Sequence, residues 1–202
     1  MKPLSAWVTD LMCRIDFIRG WIDNGIPPVF WISGFYFPQA SCSILTHGAF
    51  LTGTLQNFAR RMKFAIDTVQ FNFIVVETPW EDLQRRPQCG AYIRGLFLEG
   101  ARWDPKQGSI NDSRPKQLYT ALPVIHLNPE QNRQKPSGGV YRCPVYKILS
   151  RRGTLSTTGH STNFVMWIDL PSNRADFINN AGCSDQETWV KAGVAAFCSL
   201  KY

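Results

Sequence analysis

Between Leu4 and Ile22 the apolar residues Leu4, Trp7, Val8, Leu11, Met12, Ile15, Ile18 and Ile22 return every three or four positions, and Lys2, Asp10, Arg14, Asp16, Arg19 and Asp23 punctuate the remainder. That period gathers the apolar set on one stripe and predicts an amphipathic helix. Asn24-Gly25 supplies a stop that tolerates positive φ, and Pro27-Pro28 cannot continue a helix. A short aromatic strand, Val29 to Phe37, is expected next. Leu51, Leu55, Phe58 and Met62 then share one face of a second predicted helix, in which Gly53 costs about 1 kcal/mol relative to alanine. Packing must supply that helix's stability, and a stripe of this kind ordinarily faces a core.

Beyond Lys63 the period changes to alternation. Val69, Phe71, Phe73 and Val75 fall on one strand face, with Gln70 and Asn72 on the other. Further strands are predicted at Ala91–Leu98, Leu122–Leu127, Val140–Ile148, Phe164–Leu170 and Val190–Leu200, about six in all. In the last, a small-residue face alternates with Lys191, Gly193, Ala195, Phe197 and Ser199. Pro144 lacks an N–H and marks an edge or a bulge in its strand. Strands joined by turn-rich loops, without helical patterns between them, point to an antiparallel sheet that closes to protect its edges. The expected class is α+β: N-terminal amphipathic helices followed by a small antiparallel β-barrel. The division is a helical segment over 1–63 and a barrel over 64–202.

Composition narrows the function without naming it. The 202 residues, 44% of them hydrophobic and 13% aromatic, suffice for one good core with a helical lead-in. Cys13, Cys42, Cys89, Cys143, Cys183 and Cys198 form no CxxC pair and have no close His, which predicts reduced intracellular thiols and neither zinc nor a disulfide framework. No run of about eighteen apolar residues occurs, and no secretory pattern opens the sequence, so a soluble, cytoplasmic protein is expected without membrane contact. The net charge of +7 raises nucleic-acid binding, but the basic residues are scattered as Arg60-Arg61, Arg85-Arg86 and Arg151-Arg152. Dispersed pairs lack the clustered footprint that phosphate recognition needs.

The run Gly153–Val165, GTLSTTGHSTNFV, has the appearance of a catalytic loop. A nucleophile elbow needs its serine between glycines, and Gly159-His160-Ser161-Thr162 breaks that order. His160 next to Ser161 points to the opposite face of an extended segment, and no nearby carboxylate orients its ring toward Ser161 or Ser156. No Walker string occurs, so nucleotide binding is not expected here. Hydroxyls satisfying the backbone of a long turn account for the run. Glu99 and Asp104 flank Arg102 and Trp103, and a hydrogen-bonded corner holding a buried indole explains them better than paired acid–base carboxylates. No catalytic, cofactor-binding or metal-binding residue is assigned.

The same run, read with FWISGFYFPQA (Phe30–Ala40), FLTGTLQNFAR (Phe50–Arg60), GLFLEGARWD (Gly95–Asp104), PKQLY (Pro115–Tyr119), LPVIHL (Leu122–Leu127) and CPVYK (Cys143–Lys147), resembles the C-terminal region of dynein heavy chains, closest to the axonemal type. The blocks keep the family's order and cover most of the sequence. The resemblance implies helices followed by a β-barrel that packs on the motor's ring of AAA+ modules and influences coupling. It places ATP and Mg in upstream modules and microtubule gripping on a distant stalk, so no direct microtubule contact is expected. Light intermediate, intermediate and light chains become partners through the parent complex, in the cytoskeleton of a ciliary or flagellar axoneme.

His126 stands where the family usually has tryptophan, which implies aromatic packing. Ser41–Ala49, containing His47, and Asn173–Thr188 depart from the family's pattern, the second as an expected surface loop. Trp7, Trp21 and Trp31 are candidates to face the ring. Two other classes compete: a free-standing basic β-barrel interaction module, and a hydrolase built on His160.

Overall fold

A computed structural model describes residues 3–35, 70–88, 90–130, 139–151, 163–172 and 185–200. Helix α1 (Leu4–Asn24) runs for 21 residues, about 31 Å at 1.5 Å per residue. It ends where the sequence predicts, on Gly25 at φ 80°. Its termini contribute little: Pro3 makes no capping hydrogen bond, the first turn holds no acid and the last no base. The Asp10–Arg14 pair, 3.0 Å apart at i,i+4, adds about 0.3–0.5 kcal/mol. Tertiary contacts must therefore hold α1 in place.

The backbone then enters a short strand, β1 (Val29–Trp31), and one 3₁₀ turn over Ile32–Gly34. The strands that follow are β2 (Gln70–Val76), β3 (Ala91–Arg94), β4 (Phe97–Glu99), β5 (Ala101–Asp104), β6 (Ser109–Asp112), β7 (Tyr119–Ala121), β8 (Val124–Glu130), β9 (Val140–Tyr146) and β10 (Phe164–Pro171). Helix α2 (Asp185–Lys191) and β11 (Ala195–Phe197) come last. A four-stranded sheet has the order β1-β3-β8-β2, a five-stranded sheet has β10-β9-β11-β4-β7, and β5 pairs with β6 as a hairpin.

Alternation builds the interior. In β9, Tyr141, Cys143 and Val145 turn inward between Arg142 and Pro144, while Ile168 and Leu170 do the same from β10. Ile93, Leu98, Ile110, Ile125 and Leu127 join them at no more than 2% exposure. This core lies between the sheets and receives Trp189 from α2. On β2, Phe73 and Val75 pack toward it and Ile74 is exposed, in line with the predicted alternation.

The α+β class with an N-terminal helix is present, and two expectations about the sheet change. Eleven strands stand among the described residues instead of about six: the predicted run Ala91–Leu98 divides into β3 and β4, and β5, β6 and β7 fall where no strand is predicted. Gly95, at φ 91°, separates β3 from β4, and a Cβ there would lie 2.6 Å from the Trp31 ring. The sheets are mixed rather than antiparallel: β1 runs parallel to β3, and β11 parallel to β9. No pairing among the described residues joins the three sheets into a closed cylinder.

The predicted strand Val190–Leu200 divides into the end of α2, a turn through Gly193 at φ 71° and the three residues of β11. The alternation read there comes from small residues that fit buried positions on either structure. Likewise the Val29–Phe37 strand stops at Trp31, where the 3₁₀ turn begins. Pro144 lies in β9, interior to its sheet. It escapes a ladder penalty because pairing with β11 starts at Val145, and a bulge falls beside it on β10 between Phe164 and Met166. The second predicted helix lies outside the described residues, as do Ser41–Ala49 and most of Asn173–Thr188.

Candidate functional site

Helix α1 shows two unlike faces. Phe17 meets Trp31 at 5.9 Å and Phe35 at 5.5 Å, both edge-on, and Trp21 meets Phe30 at 5.6 Å and Phe35 at 5.8 Å. Contacts of this geometry contribute about 0.5–1.5 kcal/mol each beyond area burial. Arg14 donates to the Ser33 carbonyl and lies 5.7 Å from the Trp31 ring centroid. These residues fasten the helix to the edge of the four-stranded sheet.

The other face is the aliphatic stripe read from the sequence, and it points away from the core. Leu4 is 79% exposed, Trp7 62%, Leu11 50%, Ile18 46% and Ile22 78%, and no residue of α1 is buried. With about 100° between successive residues, the stripe and the Phe17–Trp21 face are centred roughly 120° apart around the helix. Eight large apolar side chains in one continuous strip exceed the scattered exposure normal for a surface and mark an interaction face. The sequence predicted the stripe but not its outward direction. The available signal was the aromatic pair Phe17–Trp21, spaced i,i+4 on a separate face with Arg14 beside it.

The residues with candidate chemistry are held separately. Glu99 pairs with Arg151, whose guanidinium also donates to the Gly193 carbonyl at 2.7 Å. Asp104 pairs with Arg102 at 3.3 Å and accepts from the Lys106 backbone N–H and the Asn111 amide, each at 3.1 Å. Partial desolvation opposes its ionisation, but these donors outweigh it and hold the carboxyl below its ordinary range. The Gln107 and Gly108 N–H groups close the turn on the Asp104 carbonyl. Trp103 packs half-buried on the core beside this corner, its buried Nε1 without a partner. Each carboxylate is thus engaged by a different arginine.

His126, on β8, packs against Tyr92 with ring centroids 5.0 Å apart. His47, Ser156, His160 and Ser161 lie outside the described residues. Cys13 is exposed, Cys143 and Cys198 are buried, and burial pushes the Cys143 thiol upward. Cys42, Cys89 and Cys183 fall outside the described residues. No group of three or more His, Cys, Asp or Glu able to hold a metal ion occurs among the described residues. No helix there is long and apolar enough to cross a membrane. Of the three candidate tryptophans, Trp7 lies on the outward stripe, Trp21 packs on the core, and Trp31 lines a groove under α1.

Comparison with known proteins agrees with the order of sequence blocks. Residues 1–198 match the family described as the C-terminal domain of the dynein heavy chain. Dynein axonemal heavy chain 1 of Mus musculus is 52% identical over all 202 residues, and that of Homo sapiens 51%; dynein axonemal heavy chain 3 of Homo sapiens is 48% identical over 99% of this sequence. The 202 residues span about 4% of the length of each of these relatives. The protein therefore belongs to the family of C-terminal domains of dynein heavy chains, on its axonemal branch.

Proposed function

We propose that this protein serves as a docking module of an axonemal dynein heavy chain, packed on the AAA+ ring and non-catalytic by itself. The observation that carries this is the outward stripe of α1, eight large apolar side chains that keep 37% to 79% of their surface exposed. Burying such a side chain fully is worth about 1.5–3 kcal/mol, so a strip of them forms a durable joint. The mixed sheets behind it make the rigid body of the module, and closure into a barrel is the shape this reading expects. ATP and Mg2+ belong to modules elsewhere in the parent. Light intermediate, intermediate and light chains, together with the ciliary axoneme, are reached through that parent. The domain's share in microtubule-based movement is mechanical coupling, without its own grip on the microtubule.

Hydroxyl-radical footprinting tests the joint. Trp7 and Met12 are expected to oxidise readily in the 202-residue protein and to be protected in the full-length heavy chain. Leu11→Glu with Ile15→Glu should remove that protection in the parent and shift stability of the separate domain by only about 0.5 kcal/mol. Equal oxidation of both residues in the two settings would sink the docking role. Nucleoside triphosphate turnover by the purified 202-residue protein would sink the non-catalytic one.

A further inference from the structure

On the side of α1 away from its aliphatic stripe, the helix overhangs a groove of about 690 Å³ whose lining includes Asp16, Trp21, Pro27, Trp31, Trp80 and Arg94. A second hollow of about 370 Å³ shares Trp80 and Arg94 and continues past Leu96 and Pro123.

Arg94, the last residue of β3, lines both hollows. Its guanidinium lies 3.7 Å from the Trp80 ring centroid and 5.6 Å from that of Trp31, and Arg14 stands 5.7 Å from the Trp31 centroid. The result is an alternating ladder of arginine and indole. Within it the Arg94 Nε is buried and has no hydrogen-bond partner. Burial lowers the guanidinium's pKa against the opposing influence of Glu81. The group is only half-buried, so an incoming carboxylate could reach it from the solvent side and make a charge-assisted hydrogen bond. Trp80, 43% exposed, keeps the site open to solvent.

We propose that this groove docks an extended segment of another polypeptide carrying one carboxylate between apolar side chains, with Arg94 taking the carboxylate. The indole and proline walls suit an extended peptide, which offers ridges rather than a compact body. Asp16 lines the first hollow and Glu77 and Glu81 the second. Their repulsion limits the ligand to a single negative charge and excludes a glutamate-rich tract. Because groove and stripe occupy opposite sides of α1, a module docked through the stripe leaves the groove accessible.

The probe is a random heptapeptide library displayed on phage and selected on the 202-residue protein, with enriched peptides then synthesised and titrated by tryptophan fluorescence. Enriched sequences are expected to carry one Asp or Glu in an apolar setting. Replacing that acid by its amide should weaken binding about tenfold to a hundredfold, the span of a charged hydrogen bond. Arg94→Lys should do the same, since lysine keeps the charge and loses the fork and the stack. Trp80→Ala, at an exposed turn and checked by circular dichroism, should weaken binding about tenfold, while Leu11→Glu with Ile15→Glu leaves it unchanged. The proposal is overturned if no sequence is enriched, if enriched peptides lack the acid, or if they bind the Trp80→Ala variant as tightly as the native protein.

Discussion

Helix α2 has 7 residues and contains Trp189 at 0% exposure; helix α1 has 21 and buries none. The short helix is part of the core. Its Trp189 donates through Nε1–H to the Ser172 hydroxyl at 2.8 Å and lies 6.3 Å from the Tyr141 ring. Gln186 accepts from the Arg142 N–H at 2.8 Å and donates to the Arg142 carbonyl at 3.3 Å, imitating a strand partner along β9. The long helix is fastened by two aromatic rings and one arginine, and turns most of its apolar surface outward. Integration into a fold thus follows from what a helix buries rather than from its length.

That contrast can be broken most forcefully at α2. Trp189→Ala is expected to cost about 3–5 kcal/mol, since it opens a cavity in the core and strands the Ser172 hydroxyl. Denaturant unfolding followed by far-ultraviolet circular dichroism measures it, and a loss under about 1 kcal/mol would show that α2 is not anchored as described. At α1, Phe17→Ala with Trp21→Ala removes the aromatic fastening, each lost ring contact counting about 0.5–1.5 kcal/mol. The helix should melt ahead of the sheets, seen as a separate early transition at 222 nm. One unchanged cooperative transition would contradict the weak attachment.

The thiols sharpen the comparison. Exposed Cys13 should be alkylated promptly in the native protein, and buried Cys143 only on global unfolding, as read by peptide mass spectrometry. Burial raises the Cys143 thiol above its ordinary value of 9.0. Above about pH 9 the unfolded state therefore sheds a proton that the folded state keeps. Stability from this site is complete below pH 9 and declines as pH rises, and Cys143→Ala should flatten that alkaline slope. The smallest effect belongs to the surface: Asp10→Ala should cost about 0.3–0.5 kcal/mol by removing the pair with Arg14. A loss several times larger would mean that Asp10 holds Arg14 on Trp31 and so maintains the fastening.

Local signals are legible where one residue type leaves few choices. Asn24-Gly25 and Pro27-Pro28 end α1 at its observed boundary, and the alternation of Phe73 with Ile74 and Val75 places the inner face of β2. Pairing direction is not legible. The parallel neighbours of β1 and β11 depend on which distant strand arrives beside them, and no local pattern encodes that. Small residues mislead at Val190–Leu200, because Ala, Gly and Ser fit a helix end, a turn or a buried strand equally well. The β5–β6 hairpin escapes the strand pattern although Asp104-Pro105 and Gly108 bracket its turn, because strands of four residues offer too few alternations to register. For the exposed face of α1, periodicity yields the stripe, while its direction requires knowing that two aromatics on another face pack on the sheet edge.

The strand β11 sets a condition on biogenesis. Its three residues are the rung between β9, through Ala196 and Phe197, and β4, through Ala195 to Phe197. Without them the β10-β9 pair and the β4-β7 pair have no common neighbour. The pairing that joins the two halves therefore cannot form until residues 195–197 have been synthesised. Losing β11 alone would leave unpaired inner edges on β9 and β4, which are the exposed strand edges that invite wrong pairing.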